Sequence, residues 1–201
     1  MTVKPPEAPL QSLPIVINYH EVAPLTDDDL LKLSHANKNL KFERTAQGDL
    51  VIMSPTGSLT SDRNSELNMQ LRIWAKQDGR GKVYDSSGGF RLPDNALRSP
   101  DSAWVLKSRI ERLSDEEQQK YLPLCPDFVI ELLSDSDSLP KTQTKMQEYL
   151  ENGAQLGWLI DPEEKQVHIY TPDSVEVLNN PETVSGGELL AGFELDLTEV
   201  W

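Results

Sequence analysis

The chain has 201 residues, 37% hydrophobic and 26% charged, which suits one domain with its own core and is too apolar for a disordered chain. A net charge of −14 argues against a nucleic-acid coat protein, which would be basic over most of its surface. No run of about 18 apolar residues occurs, so no membrane span is expected, and a single cysteine, Cys125, excludes an intrachain disulfide and fits a reducing, cytoplasmic setting.

Residues 1–25 are Pro-rich and read as an N-terminal arm, with a short extended piece at 15–18 and no secretory-signal pattern. Thr26-Asp27-Asp28-Asp29 opens a helix, because Thr26 can cap it and acids suit the positive end of the helix dipole. Residues 41–44 and 50–53 flank a Gly-containing turn and predict a hairpin. A longer helix follows over 60–76, with Leu67, Leu71 and Trp74 on one face, and Gly79-Arg80-Gly81 ends it. Strands are expected at 82–85, 89–92 and 102–106, and Ser114-Asp115-Glu116-Glu117 is a capping-box start for a small helix. Residues 128–133 form an apolar strand with one acid inside it. A helix over 141–152 closes at Gly153. Residues 156–160 and 167–170 predict a hairpin around Asp161-Pro162. An edge strand is expected at 175–178, and an edge strand or docked extension over 192–201. This order gives an α/β (α+β) chain, a single domain over 26–201 with a mixed sheet and helices packed on it.

The acid inside the apolar strand is Glu131, between Phe128, Val129, Ile130 and Leu132, Leu133. A buried carboxylate needs a partner, either an arginine or a hard cation such as Mg²⁺ or Mn²⁺; a solvent-facing position would remove the need. Asp101, after Ser99-Pro100, sits where a turn enters the 102–106 strand. It is either a turn residue or a second carboxylate able to converge with Glu131 on one cation. Lys145 and Tyr149 share a face of the helix after the Glu131 strand. A lysine there would hold a water or offset transition-state charge, unless it is an ordinary surface lysine. Glu66 and Glu43 are weaker supporting candidates.

Charge is uneven. Seven bases face five acids over 61–100, whereas 171–201 carries seven acids and no Lys or Arg, so the middle of the chain is the anion-facing part unless the acidity serves only solubility. His20, His35 and His168 lack ligand spacing, and no nucleophile elbow or phosphate-cradling Gly loop is present.

Met53-Ser54-Pro55-Thr56-Gly57, Arg98-Ser99-Pro100-Asp101, Pro126-Asp127-Phe128-Val129-Ile130-Glu131-Leu132, Lys145 with Tyr149, and Gly157-Trp158-Leu159-Ile160-Asp161-Pro162 follow one another in the chain. This series resembles the Uma2 family (DUF820) of restriction endonucleases over residues 26 to 200. The resemblance implies a PD-(D/E)XK, restriction-endonuclease-like fold: a central mixed β-sheet flanked by helices, with acids on adjacent core strands binding Mg²⁺ (or Mn²⁺) for DNA phosphodiester hydrolysis. Carried over by position, Asp101 is the motif aspartate and Glu131 the (D/E). The lysine expected two residues on is replaced by Leu133, and Lys145 on the following helix stands in for it. Asp127 is a second Pro-Asp acid that shapes the strand entry or supports the site. The expected protein is a Mg²⁺-dependent endonuclease on DNA, working as a homodimer. A non-catalytic nucleic-acid- or protein-binding module on a nuclease scaffold is the alternative, supported by Leu133. A metal-free sugar hydrolase ranks last, because the aromatic content is only 6%.

Overall fold

The computed structural model describes residues 14–135 and 137–201; the first thirteen residues of the expected arm lie outside the described residues. Strand β1 (Ile15–Ile17) is followed by helix α1 (Asp27–Ala36), where Thr26 and Asp29 cap each other reciprocally. Strands β2 (Lys41–Arg44) and β3 (Leu50–Met53) form the hairpin, with Gly48 at positive φ in the turn. β1 pairs antiparallel with β3, so this part of the arm is a sheet strand.

Helix α2 (Ser58–Asp78) ends at Gly79, whose left-handed backbone closes the last turn. Next come β4 (Gly81–Asp85), β5 (Phe90–Arg91), β6 (Leu97–Arg98) and β7 (Ser102–Leu106), then the short helices α3 (Lys107–Ile110) and α4 (Asp115–Gln118). The capping box of α4 joins Ser114 to Glu117. Strand β8 (Phe128–Leu132) leads into α5 (Leu139–Glu151), with β9 (Leu156–Asp161), β10 (Gln166–Tyr170), β11 (Val175–Asn179), β12 (Thr183–Ser185) and β13 (Glu194–Asp196) completing the chain.

The main sheet has six strands in the order β11-β10-β9-β8-β7-β4. It is mixed: β8 and β9 are parallel, joined by α5 as the crossover that parallel neighbours require, and the other pairs are antiparallel. The 89–92 segment does not join it. As β5, it pairs with β6 in a second, antiparallel sheet of order β1-β3-β2-β6-β5. The tail strand β13 pairs with β12 in a two-stranded sheet of its own.

All five residues of β8 are buried, because both faces of this central strand are covered. Phe128, Ile130 and Leu132 pack with Leu67 and Leu71 of α2, while Val129 packs with Met146 and Tyr149 of α5. Each fully buried leucine of α2 contributes roughly 1.5–3 kcal/mol. The period of two puts Glu131 on the Val129 face, under α5. A third cluster, Leu30, Phe42, Leu50 and Leu97, fixes α1 to the second sheet. Among the described residues no helix is long and apolar enough to cross a membrane.

Candidate active site

Glu131 is only 7% exposed, and its charge is met from α5. Lys145 Nζ lies 2.8 Å from Glu131 Oε1, and Tyr149 Oη donates to the same oxygen at 2.9 Å. Both contacts fall on Oε1, so Oε2 has no protein partner among the described residues. The i, i+4 spacing on α5 sets both donors over one strand position.

Lys145 also reaches Glu43 Oε1 at 3.1 Å. Glu43, on β2, is 2% exposed and accepts further bonds from Arg98 Nη1 at 3.1 Å and Ser99 N at 2.9 Å. Arg98 in turn grips Glu148 with two nitrogens, Nε and Nη2. A charged chain thus runs Glu131, Lys145, Glu43, Arg98, Glu148 and ties the second sheet to α5.

Asp101 is partly buried at the entrance to β7, next to β8. Its Oδ2 accepts the Leu132 N–H at 2.9 Å, which binds it to the strand carrying Glu131. From α2, Asn64 Nδ2 donates to Asp101 Oδ1 at 3.3 Å, and Asn68 Nδ2 donates to the Asp101 carbonyl at 3.0 Å. Asn64 Oδ1 is buried and has no hydrogen-bond partner among the described residues.

Burial pushes the Glu131 carboxyl up to about 7; Lys145 opposes this, while Asp101 and Glu43 reinforce it. Burial also raises Asp101, against the Leu132 N–H and the pull of Lys145 and Lys41. Burial works against charge on Glu43 as well, but Lys145 and Arg98 outweigh it and hold that carboxyl below the usual range. Glu43 is therefore a fixed anion, whereas Glu131 and Asp101 are short of positive charge. Four carboxylates (Glu43, Asp101, Glu131, Glu148) face Lys145 and Arg98 within this cluster, with Lys41 near enough to act on Asp101.

Asp101, Glu131, Lys145, Tyr149 and Glu43 are thus brought together. Two of the residues singled out in the sequence are not. Glu66 accepts from Gln70 Nε2 at 2.8 Å on the α2 flank that bonds to the backbone of Asp196. Asp127 lies at the opposite end of β8 from Glu131. There it accepts from Leu106 N at 2.8 Å, Arg109 Nη1 at 2.8 Å and Gln155 Nε2 at 3.0 Å, so it shapes the strand entry. Asn64, Asn68, Arg98 and Glu148 did not stand out in the sequence as site residues. Two asparagines four apart within a helix were the available sign, since asparagine is a poor helix former unless its amide is used.

Among the described residues no three His, Cys, Asp or Glu side chains form a ready metal-ligand set. The donor set still fits Mg²⁺ or Mn²⁺. Asp101 and Glu131 supply hard oxygens, Asn64, whose Nδ2 bonds to Asp101, carries a buried Oδ1 with no partner among the described residues, and Mg²⁺ is commonly held by one or two carboxylates with water completing its shell.

A solved structure from Anabaena variabilis ATCC 29413, described as a "putative nuclease belonging to DUF820", superposes with a TM-score of 0.71 at 24% identity, covering 88% of this chain and 97% of that one. At that identity the likeness establishes a shared fold. No curated protein matches. The model of the Uma2 family, described as "Putative restriction endonuclease", matches residues 27–198, nearly the whole chain, and the chain belongs to that family.

Proposed function

We propose that the protein is a Mg²⁺-dependent endonuclease that hydrolyses DNA phosphodiester bonds, a PD-(D/E)XK site in which Lys145 replaces the strand lysine. The observation that carries this reading is the charge balance at the site. Two neighbouring carboxylates, both with raised proton affinity, are left short of positive charge, and one of their oxygens, Glu131 Oε2, has no protein partner among the described residues. A dication fits that deficit in sign. Bound there, it would polarise a phosphoryl oxygen and activate water.

The chain's own residues supply the rest. The Leu132 N–H and Asn64 fix the Asp101 carboxylate, and Tyr149 fixes that of Glu131, so neither needs to reorganise on binding. Lys145 keeps its proton because Glu131 and Glu43 flank it, although burial opposes the charge. It can hold a water against the scissile phosphate or donate to the charge that develops there. Glu43 and Arg98 keep its ammonium in place.

A second reading has its own support. The Lys145 ammonium already sits 2.8 Å from Glu131, so part of the carboxylate charge is met without metal, as in a scaffold that binds but does not cut. Supercoiled plasmid with Mg²⁺ or Mn²⁺ separates the two. Metal-dependent nicking that falls at least 100-fold in both Asp101→Ala and Glu131→Ala is expected. Equal nicking by the variants would sink the assignment of the site. No nicking, with no heat of Mn²⁺ binding, would leave the scaffold.

A further inference from the structure

Away from the carboxylates, a cleft of about 630 Å³ runs between the C-terminal half of α2 and the edge strand β4. Arg72, Lys76, Lys82 and Lys107 line it, and no acid does among the described residues. All four are exposed. Among the described residues their one ion pair is the Lys107–Glu111 contact, at 3.9 Å; Arg72 donates to the Val83 carbonyl at 2.8 Å and acts at longer range on Asp85. The chain has 33 acids to 19 Lys and Arg, so four converging cations with so little compensation are a local inversion of the protein's charge. The dipole of α2 accounts for Lys76 at its C-terminal end, but not for Lys82 and Lys107. A second cleft, near α1, differs: its Arg44, Arg91 and Lys120 are paired with Asp27 and Asp28.

The basic cleft shares two elements with the carboxylate site, β4 through its pairing with β7, and α2. β4 runs from the cleft to Asp85, which pairs with Ser102, the residue after Asp101. Lys82 is three residues from Asp85, about 10 Å along the strand. On the other wall, α2 carries Asn64 at Asp101 and Lys76 in the cleft, about 18 Å apart along the helix. That distance is roughly five base-pair steps of a duplex at 3.4 Å each.

We infer that this cleft seats the phosphate backbone of double-stranded DNA, positioning one strand across Asp101 and Glu131. The inference rests on the nuclease reading for its choice of DNA. An acidic protein partner would need apolar anchors at the centre of its interface, whereas Ala75, Val83 and Leu122 of this lining are buried and its exposed charged side chains are all cations. Because the contacts are to phosphates, they set register and affinity and carry no sequence preference.

The test uses the full chain, a 30-base-pair duplex and EDTA, so that binding is read without cleavage. Lys82→Gln/Lys107→Gln is compared with Lys38→Gln/Lys165→Gln, which changes net charge equally, and both are checked for unaltered melting. The cleft variant is expected to lose about two from the log–log salt slope, near 0.9 per phosphate contact, and at least tenfold in affinity at low salt. The control is expected to bind like wild type on unrelated duplex sequences. Equal losses in both variants, no loss in the cleft variant, or no duplex binding by wild type would overturn the cleft. So would tenfold preference for duplex RNA, or equal competition by polyglutamate. Wild type that binds through the cleft yet never nicks plasmid would end the nuclease reading and leave the cleft standing. Nicking with an indifferent cleft variant would do the reverse.

Discussion

Glu131 occupies a strand with no exposed residue, and a buried carboxyl binds its proton more tightly than a solvated one. Its value near 7 stands above the ordinary 4.5, so the metal-free fold favours the protonated form. The sign follows. Between about pH 4.5 and 7 the native state holds more protons here than the unfolded chain, and this group's contribution to stability declines as pH rises through that window. A metal ion must displace the same proton. Mn²⁺ binding at pH 6 should therefore release close to one proton, seen as a binding enthalpy that changes with the ionisation enthalpy of the buffer. The release should fade by pH 8.5 and vanish in Glu131→Gln. A buffer-independent enthalpy at pH 6 would remove Glu131 from the metal site. The position of Glu131 was legible in the sequence because a charge inside an apolar run is conspicuous. Lys145 was legible by its spacing to Tyr149 on the next helix. The Arg98–Glu148 pair was not, since its partners lie 50 residues apart and each reads locally as a surface charge.

Elements with a sustained pattern or a clear stop were the ones the sequence disclosed. α2 was readable because Leu67, Leu71 and Trp74 recur on one helical face, α5 by the Gly153 that closes it, and β8 and β9 as continuous apolar runs that suit strands covered on both faces. β6 and β12 have two or three residues each, too few for a period to show, so of the second sheet only the β2–β3 hairpin, an extended piece near β1 and the strand at β5 were foreseen, and β5 was not assigned to it. The same scale explains why two Pro-Asp pairs diverge. Asp101 and Asp127 both stand just before a strand, β7 and β8, but β7 and β8 are antiparallel, so their entrances lie at opposite ends of the sheet. Asp101 arrives beside Glu131, while Asp127 ties β7, α3 and the start of β9 together. Asp127→Ala should lower stability by about 2 kcal/mol, because a buried acceptor of three bonds is lost, with Arg109 discounted for its exposure. Mn²⁺ affinity should stay within about twofold of wild type. Lost affinity at unchanged melting would mean that Asp127 serves the site directly.

At the scale of the whole molecule, a net charge of −14 draws cations to most of the surface, and a specific site must be distinguished from that general field. The two differ in where the repulsion is stored. At pH 8, above the value near 7 of Glu131, the metal-free protein holds that carboxylate charged beside Asp101, whose carboxyl burial also pushes up, and their repulsion should destabilise the fold locally. Filling the site with Mg²⁺ at about 100 times its dissociation constant should add about 2.7 kcal/mol, a rise of roughly 5–10 °C in melting temperature for a chain of this size. Asp101→Asn/Glu131→Gln should melt above wild type without metal at pH 8, since neutral amides relieve the repulsion, and should gain nothing from Mg²⁺ once NaCl matches the ionic strength. That opposite sign, a more stable apo variant that no longer responds to metal, is what a functional site built at the expense of stability produces. An equal rise in wild type and variant at matched ionic strength would trace the effect to the acidic surface alone and leave Asp101 and Glu131 without a role in holding the ion.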